Sequence, residues 1–133
     1  MKKIDISKIA KVFRDNIEEI EFAYIFGSSK NGYIKTDSDL DIAIYLDKNY
    51  KLDENLISNI YETFEKCYSD IKLDITILNN ASIILQFEAL TGRRLFVRSK
   101  SLEEYLNFFS LTAREYESEM FWRNKQLKYR GYG

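Results

Sequence analysis

Two aspartates one residue apart, Asp39 and Asp41, bracket the start of an apolar run, Leu40 to Leu46, where burying a charge is costly. The run alternates, which predicts a strand whose residues two apart point the same way, about 6.5–7 Å from each other. Asp39, Asp41, Ala43 and Tyr45 then share one face, with Leu40, Ile42, Ile44 and Leu46 on the other. The segment Ile71 to Leu78 alternates in the same manner, placing Asp74, Thr76 and Leu78 opposite Leu73, Ile75 and Ile77. If the two strands are neighbours, three carboxylates converge and raise one another's pKa. A hard divalent cation relieves that repulsion, and Mg²⁺ favours carboxylate oxygens while keeping water and phosphate oxygens as further ligands. Two such ions about 3.5–4 Å apart orient an in-line phosphoryl displacement. On this reading Asp39 and Asp41 hold both ions. Asp74 ligates the ion on the acceptor side and takes the proton of the attacking hydroxyl.

Upstream, the apolar stretch Glu21 to Phe26 ends at Gly27-Ser28, a break that exposes backbone N–H groups and a hydroxyl suited to a triphosphate. Gly32 and Lys35-Thr36-Asp37-Ser38 carry ordinary turn chemistry that returns the chain to the next strand. Each feature alone is common: a lone aspartate usually decorates a solvated face, and Gly-Ser ends many strands. The signal is their combination. The chain has no histidine and one cysteine, Cys67, which excludes an intramolecular disulfide, the usual zinc sites and Ser-His or Cys-His triads. Cys67 falls on an apolar helical stripe and reads as core filling. Catalysis must rest on carboxylates, hydroxyls and Lys or Arg.

The remaining segments supply the elements that position these groups. Ile6, Ile9, Ala10, Phe13 and Ile17 recur at helical spacing and predict an amphipathic helix over residues 5–19. Leu56, Ile57, Ile60, Tyr61, Phe64 and Cys67 predict a second helix, capped by Asp53. Ala81 to Leu90 reads as a short buried helix stopped by Gly92, and Arg94 to Val97 as an edge strand. A long helix is expected over about 101–127, opened by a Ser101-x-x-Glu104 capping box and followed by a tail at 128–133. Its main stripe is Leu102, Tyr105, Leu106, Phe109, Ala113, Tyr116, Met120 and Leu127; a second set, Phe108, Leu111 and Trp122, lies half a turn away. A helix apolar on two sides is either buried on both or docks a partner. The order of elements predicts an α/β (α+β) fold with a small mixed sheet flanked by helices.

With 133 residues, 45% of them hydrophobic, residues 1–133 are expected to form one domain. A net charge of −1 argues against a general polyanion binder, so no direct nucleic-acid binding is expected. The cations near the C-terminus read as a solvated tail. The N-terminus lacks the apolar core of a signal peptide and no run is long enough to span a bilayer, which predicts a cytoplasmic protein without membrane contact.

Gly27-Ser28, ten residues, then Asp39-Leu40-Asp41 resembles the Gly-Ser-x10-Asp-x-Asp signature of the DNA polymerase β-like nucleotidyltransferase superfamily, with Asp74 in the place of its third carboxylate. Chain size and element order resemble the minimal nucleotidyltransferase group within it, in particular MntA-type antitoxins. The resemblance implies transfer of AMP from ATP, with Mg²⁺, to a tyrosine of a HEPN-domain toxin, an RNase that is the cognate partner. It implies that Asp39, Asp41 and Asp74 bind metal and catalyse, and that Gly27 and Ser28 hold the triphosphate while Ser38 helps to orient the aspartates. Related proteins often carry a basic residue directly after the Gly-Ser pair. Here it is Ser29, which leaves Lys30 or Lys35 as substitutes for that charge, although both also read as solvated loop residues. Two other functions fit the same sequence: an antitoxin that acts by binding alone, and a small-molecule nucleotidyltransferase. The second needs an acceptor-binding region that only the final helix and tail could build.

Overall fold

The computed structural model describes residues 2–50 and 52–129. In chain order the elements are β1 (Lys2–Lys3), α1 (Ile6–Asn16), β2 (Ile20–Phe26), a 3-10 turn at Gly27–Ser29, β3 (Tyr33–Ile34) and β4 (Leu40–Leu46). There follow α2 (Glu54–Glu65), β5 (Leu73–Ile77), a 3-10 turn at Leu78–Asn80, α3 (Ile83–Leu90), β6 (Arg93–Val97), a 3-10 turn at Ser99–Ser101 and α4 (Leu102–Tyr129). The main sheet has the order β5-β4-β2-β6, with β2 antiparallel to β4 and β6, and β4 parallel to β5. Parallel neighbours need a crossover, and α2 provides it. The small mixed sheet flanked by helices is the one the sequence predicts; the pair β1 and β3 is an addition, each strand too short to show a period.

Alternation along β4 sorts its side chains as expected. Leu40, Ile42, Ile44 and Leu46 join Ile9, Phe13, Ile17, Leu56, Ile60 and Phe64 in one core beneath α1 and α2. Ala43 and Tyr45 join Phe22, Tyr24, Phe26, Ala89, Leu90 and Tyr105 in a second core beneath α3 and α4. The aspartate face is thus no open, solvated surface. Only its end, at Asp39 and Asp41, escapes the helices.

Local chemistry explains where elements start and stop. Asp53 caps α2 as predicted, accepting the Leu56 N–H at 2.9 Å, and Asp5 and Ser82 cap α1 and α3 in the same way. Arg98 donates to the carbonyls of Arg14, Ile17 and Ile20, closing the C-terminal end of α1 and the turn after it. The Asn79 amide donates to the Leu46 carbonyl and accepts the Leu46 N–H, at 2.8 and 2.9 Å, so it stands in for a strand where β4 runs out of partners.

Several expectations need correction. The capping box at α4 does not form: Ser101 is buried with its hydroxyl unpartnered, and Glu104 instead accepts the Tyr45 hydroxyl at 2.7 Å and pairs with Lys48 at 3.1 Å. A phenol and an ammonium together bind a carboxylate more strongly than one backbone N–H. The packed face of α4 is also rotated from the expected stripe. Tyr105 meets Phe22 edge-on and Phe108 packs tilted against it, and Thr112 is buried, whereas Leu102, Leu106 and Phe109 are exposed. On α2, Ile57 and Tyr61 are exposed, and Cys67 lies half-buried beyond the helix end. Only Ala89 and Leu90 of α3 are fully buried. Helix α4 continues to Tyr129, past the expected boundary; the rest of the expected tail, residues 130–133, lies outside the described residues. Among the described residues no helix is long and apolar enough to cross a membrane.

Candidate active site

The last residue of β2, Phe26, sits opposite Asp41 in the antiparallel ladder, so the chain turns at Gly27 directly beside that carboxylate. Gly27 has φ of 73°, in the left-handed region that glycine tolerates best. A Cβ atom there would lie 2.6 Å from Asp41 Oδ2. The position therefore needs glycine for its backbone and for the space it leaves. The turn that follows is closed by the Gly32 N–H bonding the Ser29 carbonyl at 3.0 Å and is tied to the N-terminal segment through the Ile4 N–H and the Gly32 carbonyl at 2.9 Å. Ser28 is exposed to an incoming ligand, whereas Ser29 is buried and its hydroxyl has no partner. A cation at position 29 would point inward.

Asp41 and Asp74 are register partners on the parallel strands β4 and β5, which places the second carboxylate beside the first, as the shared parity predicts. Burial pushes the Asp41 carboxyl above its usual range, and the charges of Asp74 and then Asp39 push it further. Asp39 lies half-buried one residue before β4. Glu88, from α3, adds a fourth negative charge to the surroundings of Asp41. Nothing in the local sequence of α3 marks that residue; its relevance comes only from how the helix docks. Among the described residues no three carboxylates converge tightly enough to form a ready-made metal cage.

Ser38 shares a recess of about 460 Å³ with Asp39, Lys35 and Lys72, and its backbone N–H bonds the Lys35 carbonyl. Among the described hydrogen bonds its hydroxyl makes none to an aspartate. Lys30 lines a different recess, of about 500 Å³, with Asn31, Thr91, Gly92, Arg93 and Arg94. The sequence marks neither arginine as a site residue, Arg94 serving only to open the expected edge strand, because β6 has to be placed next to β2 before they reach the Gly27 turn.

This arrangement joins an exposed turn with a free hydroxyl to a carboxylate pair on adjacent strands, which is chemistry for a phosphate ester and a hard cation. A family model described as "Polymerase beta, Nucleotidyltransferase" matches residues 7–101. The protein adenylyltransferase MntA of Shewanella oneidensis is 33% identical over 101 residues, covering 72% of this chain and 68% of the relative. Among solved structures, that of a toxin–antitoxin, MntA-HpeT, carrying two Asp→Glu substitutions superposes with a TM-score of 0.71 at 25% identity, over 94% of this chain and 97% of the other. A toxin–antitoxin structure with AMP-PNP gives 0.69 at 25% identity, with coverage of 94% and 97%.

Proposed function

Because the chain belongs to the polymerase beta nucleotidyltransferase family, we propose that it is an antitoxin that transfers AMP from ATP to a tyrosine hydroxyl of a cognate HEPN-domain RNase toxin. The observation that carries this reading is the Asp41 carboxylate pressed against the Gly27 turn with Asp74 beside it. The adenylyltransferase relative and the neighbour solved with AMP-PNP support AMP as the transferred group and ATP as its donor. The neighbouring toxin–antitoxin structure supports a toxin as the acceptor. The reading carries with it a cytoplasmic location, where ATP is available.

In the reaction the acceptor oxygen forms a bond to the α-phosphorus while the bond from that phosphorus to the α–β bridging oxygen breaks. AMP remains on the acceptor, pyrophosphate leaves, and the acceptor proton passes to the Asp74 carboxylate. Gly27 and Ser28 offer N–H groups and a hydroxyl to the phosphates. Mg²⁺ fits the donor set, which is all carboxylate oxygen and carries the uncompensated charge that raises Asp41. When bound, it neutralises charge on the phosphates and aligns donor and acceptor. Asp39, Asp41 and Asp74 would hold it, water and nucleotide oxygens completing the shell.

Labelled ATP tests the chemistry. Label at the α-phosphate should become attached to the toxin and label at the γ-phosphate should not; γ-label on the toxin would show a kinase instead. A second reading, neutralisation by docking alone, is favoured by the exposed Phe121, Trp122 and Leu127 of α4. Under it, Asp39→Asn/Asp41→Asn would neutralise the toxin as well as the wild type does, with no label transferred by either protein.

A further inference from the structure

The recess that Lys30 shares with Arg93 and Arg94 lies at the same turn as the proposed nucleotide site but is built from two segments some sixty residues apart. What presses them together is Gly92. A Cβ at Gly92 would stand 2.3 Å from the Ile25 carbonyl oxygen and 2.9 Å from the Phe26 Cα, so the α3–β6 turn packs directly on the last residues of β2. Arg93 pairs with Ile25 and Arg94 with Tyr24, in register, before the ladder shifts between Tyr24 and Ala23. Arg94 lies over the Tyr105 ring, 5.9 Å from its centroid, on the sheet face that also carries Asp41. Lys30 closes the 3-10 turn that begins at Gly27.

Among the described residues none of these three cations has a carboxylate partner within ion-pairing distance. Three exposed positive charges that line one recess make it a place where an anion is favoured. The recess lies two strands from β4, about 9.5 Å at ordinary strand spacing, a gap that arginine side chains and a phosphate chain together can bridge. Arginine offers a planar fork to phosphate oxygens, and lysine a point charge.

We infer that Lys30, Arg93 and Arg94 form the seat of the β- and γ-phosphates, holding the pyrophosphate as it leaves from the α-phosphorus. This rests on the nucleotidyl-transfer reading of the Gly27 turn. With Ser29 buried, the positive charge at this turn comes from its neighbour Lys30 and from the two arginines of β6.

The test is calorimetric titration of the full chain, in Mg²⁺ at fixed ionic strength, with ATP, AMP, inorganic pyrophosphate and a single-stranded oligonucleotide. Lys30→Gln and Arg94→Gln are each expected to weaken ATP and pyrophosphate about tenfold while AMP shifts less than about twofold. Arg94→Lys, which keeps the charge and loses the fork, should fall between; it also serves if the glutamine variant does not fold. Unchanged pyrophosphate affinity in these variants, an equal loss for AMP, or a loss confined to the oligonucleotide would each overturn the inference. The two readings fail separately. A wild type that labels the toxin while its variants bind pyrophosphate normally removes only the seat. A wild type that holds pyrophosphate through these residues yet transfers no AMP removes only the adenylyltransferase.

Discussion

Gly27 and Asp41 occupy one another's space: the carboxylate Oδ2 stands 2.6 Å from where a side chain on Gly27 would begin. The glycine that turns the chain at the end of β2 is thereby also the floor on which the central carboxylate rests. The turn proposed to bind phosphate and the strand proposed to bind metal are two sides of a single packing contact.

Gly27→Ala should therefore harm chemistry far more than folding. A left-handed alanine costs on the order of 1–2 kcal/mol, a loss the rest of the fold tolerates. The displaced Asp41 carboxylate should lower the rate of AMP transfer by about 100-fold or more, since misplacement by an ångström has that effect. Initial rates and a thermal melt on the same preparation check both halves. A melt that collapses along with the rate would mean that the contact is structural only.

Arg98 carries a different kind of load. It donates to three backbone carbonyls, those of Ile20 at 2.6 Å and of Arg14 and Ile17 at 2.8 Å. Arg98→Ala strands those acceptors and should cost about 2 kcal/mol in urea denaturation. Arg98→Lys should recover less than half of it, because an ammonium cannot reproduce the fork. Full recovery by lysine would show that charge near the end of α1, and not geometry, is what matters.

The alternation of β4 and β5 made the aspartate face legible, because a residue's parity in a strand decides its side whatever the rest of the fold does. The Gly27-to-Asp41 spacing was legible for the same reason: it is local. What could not be read was anything decided by docking. Phe108 and Leu106 are equally apolar, and only the position of Phe22 and Tyr45 determines that Phe108 turns inward. Ser101 and Glu104 have the right spacing for a cap, yet Tyr45, on a distant strand, takes the carboxylate. Glu88, Arg93 and Arg94 reach the site only because α3 and β6 pack where they do.

Glu21 provides a pH test away from the site. One of its carboxylate oxygens is buried without a partner. Burial raises its pKa above the ordinary 4.5, Asp47 and Glu104 add to the effect, and Lys100 and Lys48 oppose it. A raised carboxyl pKa favours the folded state below the unfolded value, and this contribution is lost as pH rises through the folded value. Glu21→Gln should thus stabilise the protein at pH 7, by about 1 kcal/mol or a few degrees in Tm. The advantage should fade as pH falls toward and below 4.5. An advantage of the same size across that range would assign the effect to packing.

The carboxylates at the Gly27 turn are proposed to drive transfer of AMP to a protein. The most direct measurement is the intact mass of the toxin after incubation with ATP, Mg²⁺ and this protein, beside a parallel incubation with Asp39→Asn/Asp41→Asn. The toxin should be heavier by one or more whole AMP units with the wild type and unchanged with the variant, although both form the complex. A toxin of unchanged mass that is nevertheless neutralised by the wild type would contradict it.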